Sequence, residues 1–456
     1  MRLIAFMCVC ALVWVSPAFA TETTKQTTPN GHVYWHHPIA DSKRTAVAIS
    51  WPSGLSQLPQ GQEMAARVGL SMMLNAGTEN RSPEEVVEEF NDLDAGSQLF
   101  IQPGEFRGFI VTPTDAADEA AQIANDVLTQ PNLDERWFKR ERNKLLQEGR
   151  GREKHIWGIA WTLLRRATFK DHPFERFWSL RPTENIENIN LDTIKAWHAS
   201  ALSTNDITIT VAGSSDFAAI GRAIDTALAG LPGGEAPREI AFDGPIIPSA
   251  TILFHMPDAE KSALVVFGQV PPSKAGQDFA INLGVGVLGY GEQSRLFKAI
   301  RTELRAAYRF GTGLDTFTRH HRTLRLNGEV DTKLLRQALD TVEASYEEFR
   351  KGGIGFLEFP FAKNFYRGRL EESFKKPENL AYLMMESRLD GEPDDHIDTM
   401  LTRLDDTSRS DVNAFIAENF PPFDDMLKVI VSPDVNAIEG ACVITKIEQV
   451  SGCLPD

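Results

Sequence analysis

Residues 65–78 read AARVGLSMMLNAGT, and this stretch decides how the rest of the chain is interpreted. The stretch predicts a helix that ends at the turn-forming pair Gly77-Thr78. Val68, Ser71 and Met72 are spaced three and four residues apart, so they share one face of this helix. That face therefore carries two apolar side chains and one hydroxyl.

The same spacing is that of the inverted zinc motif H-x-x-E-H, which places two metal-binding histidines and a general-base glutamate on one helical face. Val68 and Met72 stand at the two histidine positions, and Ser71 stands at the glutamate position. No apolar side chain replaces an imidazole, and a serine hydroxyl is too weak a base to activate water at neutral pH. The sequence therefore predicts a relative of a zinc protease that does not cleave peptides by itself.

Two glutamates further along the chain complete this pattern. Glu141 and Glu148 lie seven residues apart in a predicted helix, and Glu148 follows Met72 by 76 residues. This arrangement resembles the pitrilysin/insulinase family of metallopeptidases, whose third zinc ligand is a glutamate at that distance with a supporting glutamate seven residues before it. The blocks that follow the same family order are FKDHPF from Phe169, RPTENIENI from Arg181 and ITITVAGSSD ending at Asp216.

The remaining positions of the zinc motif have two interpretations. Glu148 is a retained metal ligand or a leftover helix glutamate, and we favour the second because zinc sites usually need three protein ligands. Met72 and Met73 are interpreted as core packing, since a thioether side chain fills irregular space well. We therefore expect no metal bound by this chain.

A second block, SRLFKAIRTELRAAY at residues 294–308, resembles the family segment in which an arginine and a tyrosine seven residues apart contact the substrate. Here these residues are Arg301 and Tyr308, and the spacing predicts two helical turns between them. Spacing alone fits a solvated arginine and a core tyrosine equally well. The resemblance favours function, because both side chains donate hydrogen bonds suited to a carbonyl becoming an oxyanion.

A chain that has lost the zinc motif and kept the Arg/Tyr block resembles the non-catalytic subunit of a two-chain protease. The resemblance implies a homologous partner with H-x-x-E-H and zinc, while this chain supplies Arg301 and Tyr308 in trans. The alternative is a peptide-binding or scaffold protein with no catalytic role. An autonomous enzyme using another site is disfavoured, because no nucleophile and base constellation is visible.

The chain repeats one pattern of elements. Each half carries Val/Ile-rich strands, a long amphipathic helix opened by an aspartate (Asp115 or Asp331), a basic helix and a closing strand. This order predicts an α/β (α+β) fold with two homologous layered sandwich domains at 32–230 and 251–456. The Gly/Pro-rich stretch 231–250 is predicted to link the domains, and residues 21–31 are predicted to be a flexible segment.

The first twenty residues, MRLIAFMCVCALVWVSPAFA, predict a secretory signal peptide with a small-residue cleavage site. The alternative is a retained membrane anchor, but the apolar run is shorter than the roughly 20 residues that span a bilayer. We therefore expect a periplasmic or secreted protein. Removal of this segment leaves Cys442 and Cys453, which are predicted to form a disulfide in an oxidising compartment.

Composition excludes several other classes of protein. A chain of 456 residues predicts more than one core, and a formal charge of −16 argues against nucleic-acid binding. Gly284, Gly286 and Gly289 spell G-x-G-x-x-G, but the stretch is interpreted as the end of an apolar helix and not as a dinucleotide loop. The histidines are scattered without metal-ligand spacing, and each is interpreted as structural.

Overall fold

The structure is a computed structural model that describes residues 22–58, 62–169, 186, 189–234, 247–272, 278–319 and 321–455. The predicted signal peptide and most of the predicted linker lie outside the described residues, as do most of the FKDHPF and RPTENIENI blocks. Among the helices that the structure describes, none is long and apolar enough to cross a membrane.

The first half of the chain, residues 22–234, forms a six-stranded mixed sheet in the order β1-β2-β6-β3-β5-β4. Alternating apolar residues build its central strands, so that Ile49, Ile209 and Val211 are buried against the helices of the same half. The strands are β1 (Thr24–Thr27), β2 (Val33–Pro38), β3 (Arg44–Trp51), β4 (Gly96–Ile101), β5 (Phe106–Pro113) and β6 (Thr208–Gly213).

The second half, residues 247–455, forms another six-stranded mixed sheet in the order β12-β7-β11-β8-β10-β9. Its strands are β7 (Thr251–His255), β8 (Ser262–Val270), β9 (Ala307–Thr318), β10 (His321–Val330), β11 (Leu427–Ser432) and β12 (Cys442–Ile444). Five strands in each half follow one order, β2-β6-β3-β5-β4 in the first and β7-β11-β8-β10-β9 in the second. The predicted fold class and the internal repeat are therefore confirmed.

Helices cover these sheets and begin where the sequence places capping residues. Ser82 and Ser408 each form a capping box with the residue three positions later. The helices of the first half are α1 (Glu63–Asn75), α2 (Pro83–Asp92), α3 (Ala117–Thr129), α4 (Glu135–Arg152), α5 (Ile156–Thr168), α6 (Leu191–Ala201) and α7 (Phe217–Leu228). Those of the second half are α8 (Asp278–Gly289), α9 (Leu335–Gly352), α10 (Glu358–Lys375), α11 (Pro377–Leu389), α12 (His396–Asp406) and α13 (Arg409–Asn419).

The glycines of the G-x-G-x-x-G stretch lie inside α8 and at its end. Gly284 and Gly286 are helical residues, and Gly289 is the last residue of the helix. Gly291 follows with a φ of 81°, which is the left-handed turn expected after a helix. The interpretation of this stretch as an apolar helix ending in a glycine turn is confirmed.

Each half contributes one helix to the other half. Helix α11 packs on the first sheet, where the hydroxyl of Thr210 donates to the carbonyl oxygen of Ala381 at 2.8 Å. Helix α5 packs on strands β8 and β11 of the second sheet, and its buried Leu163 belongs to the same core cluster as Phe267 and Val429. This exchange couples the two halves through apolar surface.

The prediction of a frayed segment over residues 21–31 is wrong for part of that range. Thr24–Thr27 form β1, which pairs antiparallel with β2, and Lys25 lies opposite Trp35. The hydroxyl of Thr28 also donates to Asp225 at 2.6 Å. Backbone pairing with an edge strand therefore outweighs the polar composition that suggested disorder.

Cys442 and Cys453 are joined in the structure, with their Cα atoms 5.6 Å apart. Cys442 lies in β12, and Cys453 ends a 3₁₀ helix at Ile447–Cys453 whose Val450 is buried. The bridge therefore fastens the C-terminal segment to the edge of the second sheet.

We expect thiol labelling of the unreduced, denatured chain from residue 21 onward to find no free cysteine, because the two mature cysteines pair with each other. Reduction before labelling should release both thiols and serves as the control. Replacing both cysteines by serine should lower the free energy of unfolding by roughly 2 to 3 kcal/mol, as the chain-entropy model gives for a short loop. Two labelled thiols in the unreduced protein would contradict the pairing.

Candidate functional site

Helix α1 presents its degenerate zinc-motif face to the protein core. Val68 and Met72 are fully buried, and Met73 is 2% exposed. The neighbouring Gly69 permits close packing on α6, since a Cβ atom there would lie 2.3 Å from the ring of Trp197. The interpretation of the methionines as core packing agrees with this burial.

Ser71 contacts the glutamate that precedes the family ligand position. Its hydroxyl donates to Oε2 of Glu141 at 2.7 Å, and Glu141 is fully buried. The nearest cations are Arg140, with Nε 3.5 Å from Oε1, and Lys144, with Nζ 3.9 Å from Oε2. The Ser71 hydroxyl and the Glu141 carboxylate are thus paired with each other between α1 and α4.

Glu148 lies seven residues later in α4 and is exposed to solvent. The structure therefore brings Glu141 to the motif face of α1 and leaves Glu148 at the surface. Within the described ranges, no group of three histidine, cysteine, aspartate or glutamate side chains has the arrangement of a metal site. The residues at this position do not fit the zinc ion that the motif holds in active enzymes.

We expect the isolated chain to bind no stoichiometric zinc, because Val68, Ser71 and Met72 supply neither imidazole nor carboxylate. The measurement is elemental analysis of the purified protein after dialysis, with an H-x-x-E-H protein of the same family as the positive control. A Ser71→Ala variant should give the same zinc content as the wild type. One tightly held zinc ion per chain would contradict the prediction, since such a site needs ligands that α1 does not offer.

Arg301 and Tyr308 form a second set of side chains, at the open edge of the second sheet. Arg301 lies on a π-helical turn at Phe297–Glu303, and Tyr308 is the second residue of β9. The prediction that two helical turns separate them is wrong, because the helix ends at Glu303 and Arg305 reverses the chain with a φ of 57°. The reversal places the guanidinium carbon of Arg301 4.8 Å from the centre of the Tyr308 ring.

Buried neighbours hold this chain reversal in place. Ile300 is fully buried, and its carbonyl oxygen accepts a hydrogen bond from the backbone of Ala306 at 3.0 Å. The pairing register between β9 and β10 then shifts by one residue. The three residue steps from Ala307 to Phe310 lie opposite only two residue steps on β10. This bulge lets Tyr308 and Arg309, adjacent in sequence, line the same cavity.

The cavity beside Arg301 and Tyr308 has a volume of about 1130 Å³. Tyr308 is 74% exposed, so its phenol is available to a ligand. Trp157 of α5 closes one side from the first half of the chain, and Lys261 and Glu329 form an ion pair at 3.0 Å on another side. Among the described lining residues, none comes from α1, so the two predicted sets of residues do not form one site within this chain.

Arg309 and Trp157 are among the lining residues that sequence reasoning missed. Arg309 adjoins Tyr308 in the chain and adds a second exposed guanidinium. Its position next to Tyr308 in β9 is the signal that could have identified it. Trp157 lies far from the Arg/Tyr block in sequence and carries no local signal. A guanidinium and a phenol at the edge of such a cavity can donate hydrogen bonds to a peptide carbonyl.

Comparison with known proteins supplies three findings. A family model described as the peptidase M16 inactive domain matches residues 188–365. The non-peptidase homolog YmxG of Helicobacter pylori is 26% identical over 310 residues, which are 66% of this chain and 68% of that protein. The crystal structure of a peptidase M16 inactive domain from Pseudomonas fluorescens superposes with a TM-score of 0.80 at 18% identity, covering 91% of this chain and 98% of that one.

The periplasmic protease PqqL of Escherichia coli has the same fold but a longer chain. It matches with a TM-score of 0.70 at 13% identity, and the match covers 94% of this chain and 50% of PqqL. The isolated first half of PqqL also matches, over 96% of its length. This chain therefore corresponds in fold to one half of that protease.

Proposed function

The resemblance to the M16 peptidases, the pitrilysin/insulinase family, is confirmed, and from it we propose that this chain is the non-catalytic subunit of a two-chain zinc peptidase. A homologous partner supplies the H-x-x-E-H helix and zinc, whose chemistry is to activate water for peptide hydrolysis. This chain contributes Arg301 and Tyr308 to substrate binding and to stabilisation of the developing oxyanion.

The loss of chemistry on α1 supports a non-catalytic role. Val68 and Met72 pack in the core, and the hydroxyl of Ser71 is engaged by Glu141. No side chain on this face offers a base for water activation, since Ser71 is a donor to a buried carboxylate. The match to an inactive domain and to a non-peptidase homologue agrees with this role.

The observation that carries the proposal is the exposure of Tyr308. A core tyrosine would be buried, but 74% of Tyr308 is accessible and the guanidinium of Arg301 stacks on its ring. Stacking orients the guanidinium while leaving its N–H groups free to meet a carbonyl oxygen from the cavity. The pair is therefore arranged to serve a ligand that comes from outside this chain.

The size relation to PqqL supports assembly from two halves. One PqqL chain is twice as long as the region it shares with this chain. Two chains of this length would together have about the length of one PqqL chain. We propose a heterodimer with a zinc-bearing homologue, in which the cavity beside Tyr308 faces the partner's metal.

The proposed location is the periplasm or the extracellular space. The apolar segment Met1–Ala20 has the composition of a signal peptide, and the bridge between Cys442 and Cys453 suits an oxidising compartment. PqqL is itself a periplasmic protease.

The proposal is tested by mixing the purified chain with an H-x-x-E-H homologue from the same organism. Gel filtration should show a complex, and the complex should cleave peptides that neither chain cleaves alone. A partner that cleaves equally well without this chain would overturn the catalytic role. A complex whose activity does not depend on Arg301 or Tyr308 would instead favour the scaffold function.

A further inference from the structure

The glycines of the G-x-G-x-x-G stretch in α8 differ in what surrounds them. A Cβ atom at Gly284 would lie 3.3 Å from Ile416, and one at Gly289 would lie 2.5 Å from Thr312, so close packing accounts for both glycines. At Gly286 a Cβ atom would meet no atom within 4 Å. A glycine inside a helix is destabilising relative to alanine. Packing among the described residues therefore gives no reason for a glycine at position 286.

The space beside Gly286 is a groove of about 660 Å³ that is lined by α8, α10 and residues 312–314 of β9. Every fourth residue along α10 lines it, at Leu357, Phe361, Phe365 and Arg369. From position 357 to position 369 a helix rises roughly 18 Å, at about 1.5 Å per residue. Pockets for small molecules have volumes of about 300 to 1,000 Å³, so the groove has the size of a ligand site.

Most of the groove surface is apolar. Leu283 and Val287 line it from α8, and Phe361 and Phe365 line it from α10. The two phenylalanines are 60% and 50% exposed, and the ring of Tyr290 lies with its centre 6.1 Å from that of Phe365. Bulky apolar side chains that stay exposed around one groove are typical of a binding surface.

The polar side chains of the lining are mostly engaged by the backbone. Asn282, Ser294 and Thr312 donate to carbonyl oxygens of α8 and the turn after it, at 2.8, 2.7 and 2.9 Å. A buried peptide or sugar needs hydrogen-bond partners for its own polar groups, and these donors are already used. An acyl chain needs no such partners.

Arg369 places a positive charge at one end of the apolar surface. Its guanidinium carbon lies 5.1 Å from the centre of the Tyr290 ring. The nearby Arg367 pairs with Glu371 and Asp405, whereas Arg369 forms no ion pair with a carboxylate in the described part of the chain. Stacking on the ring leaves the guanidinium N–H groups available to an anion.

The carboxylates beside the groove do not cancel its positive charge. Glu358 accepts two hydrogen bonds from Arg295, at 3.0 and 2.6 Å, and is already neutralised. Glu292 stands against the second cation of the described lining, Lys298. Arg369 is then in excess, although the whole chain carries a formal charge of −16. The groove therefore combines an elongated apolar surface with one uncompensated cation.

We propose that this groove binds a long-chain fatty acid, with the acyl chain along Phe361 and Phe365 and the carboxylate at Arg369. Gly286 leaves room for the acyl chain against the backbone of α8. A fatty acid has one elongated apolar body and one terminal negative charge, which matches the groove in both respects. Arg301 and Tyr308 do not line the groove, so the inference does not rest on the proposed function.

The test is isothermal titration calorimetry of the chain from residue 21 onward with dodecanoate, kept below its critical micelle concentration. We expect saturable binding of one dodecanoate per chain. Dodecyltrimethylammonium has an acyl-like chain of the same length but a cationic head, and it should bind at least about tenfold more weakly. The comparison separates recognition of the carboxylate from general binding of an apolar chain.

Gly286→Leu should weaken dodecanoate binding by at least about tenfold, because the leucine side chain enters the groove. Leucine favours a helix more than glycine does, so the free energy of unfolding should not fall. Gly368→Leu is the matched control, since Gly368 also has open space for a Cβ atom but lies outside the groove. It should leave the affinity unchanged.

Arg369→Glu should weaken binding of dodecanoate and strengthen binding of dodecyltrimethylammonium, each by about tenfold, because it reverses the charge beside the head group. Lys375→Glu reverses an exposed charge on the same helix outside the groove and should change neither affinity. Circular dichroism confirms that each variant is folded.

Several results would overturn the inference. They are no saturable binding of dodecanoate, equal affinity for the two amphiphiles, or equal effects of Gly286→Leu and Gly368→Leu. Binding to phosphatidylglycerol vesicles without binding of free dodecanoate would show that the apolar surface meets a membrane instead. A dimer that Gly286→Leu converts to monomers, again without dodecanoate binding, would show that a second copy covers the groove.

Discussion

Arg301→Ala and Tyr308→Phe should each lower kcat of the reconstituted two-chain peptidase by about 10² to 10³, the usual effect of removing one oxyanion donor. Both side chains line an open cavity, and neither supports the core, since Tyr308 is 74% exposed. KM should change less than kcat if the hydrogen bonds strengthen only as the oxyanion forms. The measurement is the rate of peptide cleavage over a range of substrate concentrations that reaches saturation.

Two controls separate this result from misfolding or failed assembly. Gel filtration should show the same complex for both variants, because one guanidinium or one hydroxyl is a small part of an interface of standard size. Arg336→Ala removes an exposed arginine that does not line the cavity and should leave kcat unchanged. Wild-type kcat and KM in both cavity variants would show that the Arg/Tyr block is a structural remnant.

Glu386→Ala should lower the free energy of unfolding by about 3 kcal/mol, because it leaves partly buried arginines short of negative charge. Glu386 lies on α11 and joins the two halves of the chain. One of its oxygens accepts from Arg107 of β5, and the other accepts from Arg319 at 2.6 Å. Glu105 contacts both arginines, and Asp390 lies 3.1 Å from Arg319. The side chain of Arg107 is only 3% exposed, so water replaces the lost partner poorly.

An exposed ion pair in the same half provides the matched control. Glu372 pairs with Lys376 on the surface of α10 at 3.0 Å, with side chains 57% and 49% exposed. Glu372→Ala should therefore lower the free energy of unfolding much less than Glu386→Ala does, because solvent screens an exposed ion pair. Urea unfolding followed by circular dichroism measures both variants. Equal losses in the two variants would show that the buried network between the halves adds no more than a surface pair.

The ion-pair network around Glu386 also makes the free energy of unfolding depend on pH. Burial acts to raise the pKa of Glu386, but Arg319 and Arg107 outweigh it, so that its pKa is lowered in the folded protein. A carboxylate whose pKa is lowered by folding stabilises the folded protein above its unfolded pKa, about 4.3. This stabilisation is lost as the pH falls through the folded pKa. The difference in the free energy of unfolding between wild type and Glu386→Ala should therefore shrink as the pH falls below about 4.3.

The pattern of the fold could be predicted from local signals in the sequence. The two halves repeat strands and helices in one order, and the structure shows five strands in the same order in each sheet. The weakest prediction was the frayed segment, because β1 forms only by pairing with β2 and carries no apolar alternation of its own. Pairing partners contribute as much to a strand as its own residues do.

The sequence by itself determined which side-chain types stand at the zinc-motif positions and in the Arg/Tyr block. Zinc ligation depends on side-chain type at fixed helical spacing, so Val68, Ser71 and Met72 are enough to remove it. The donors Arg301 and Tyr308 are likewise visible as residue types in one short block. These conclusions need no distances between remote segments.

Only the tertiary structure decided how those residues are arranged. It placed Glu141, and not Glu148, against Ser71, although the contact spans 70 residues of chain. It also replaced a predicted helical spacing with a chain reversal that stacks Arg301 on Tyr308, and it added Trp157 from the first half. Such contacts depend on how separate helices and strands pack together. The burial of apolar surface that drives this packing involves residues far apart in the chain, so it has no local sequence signature.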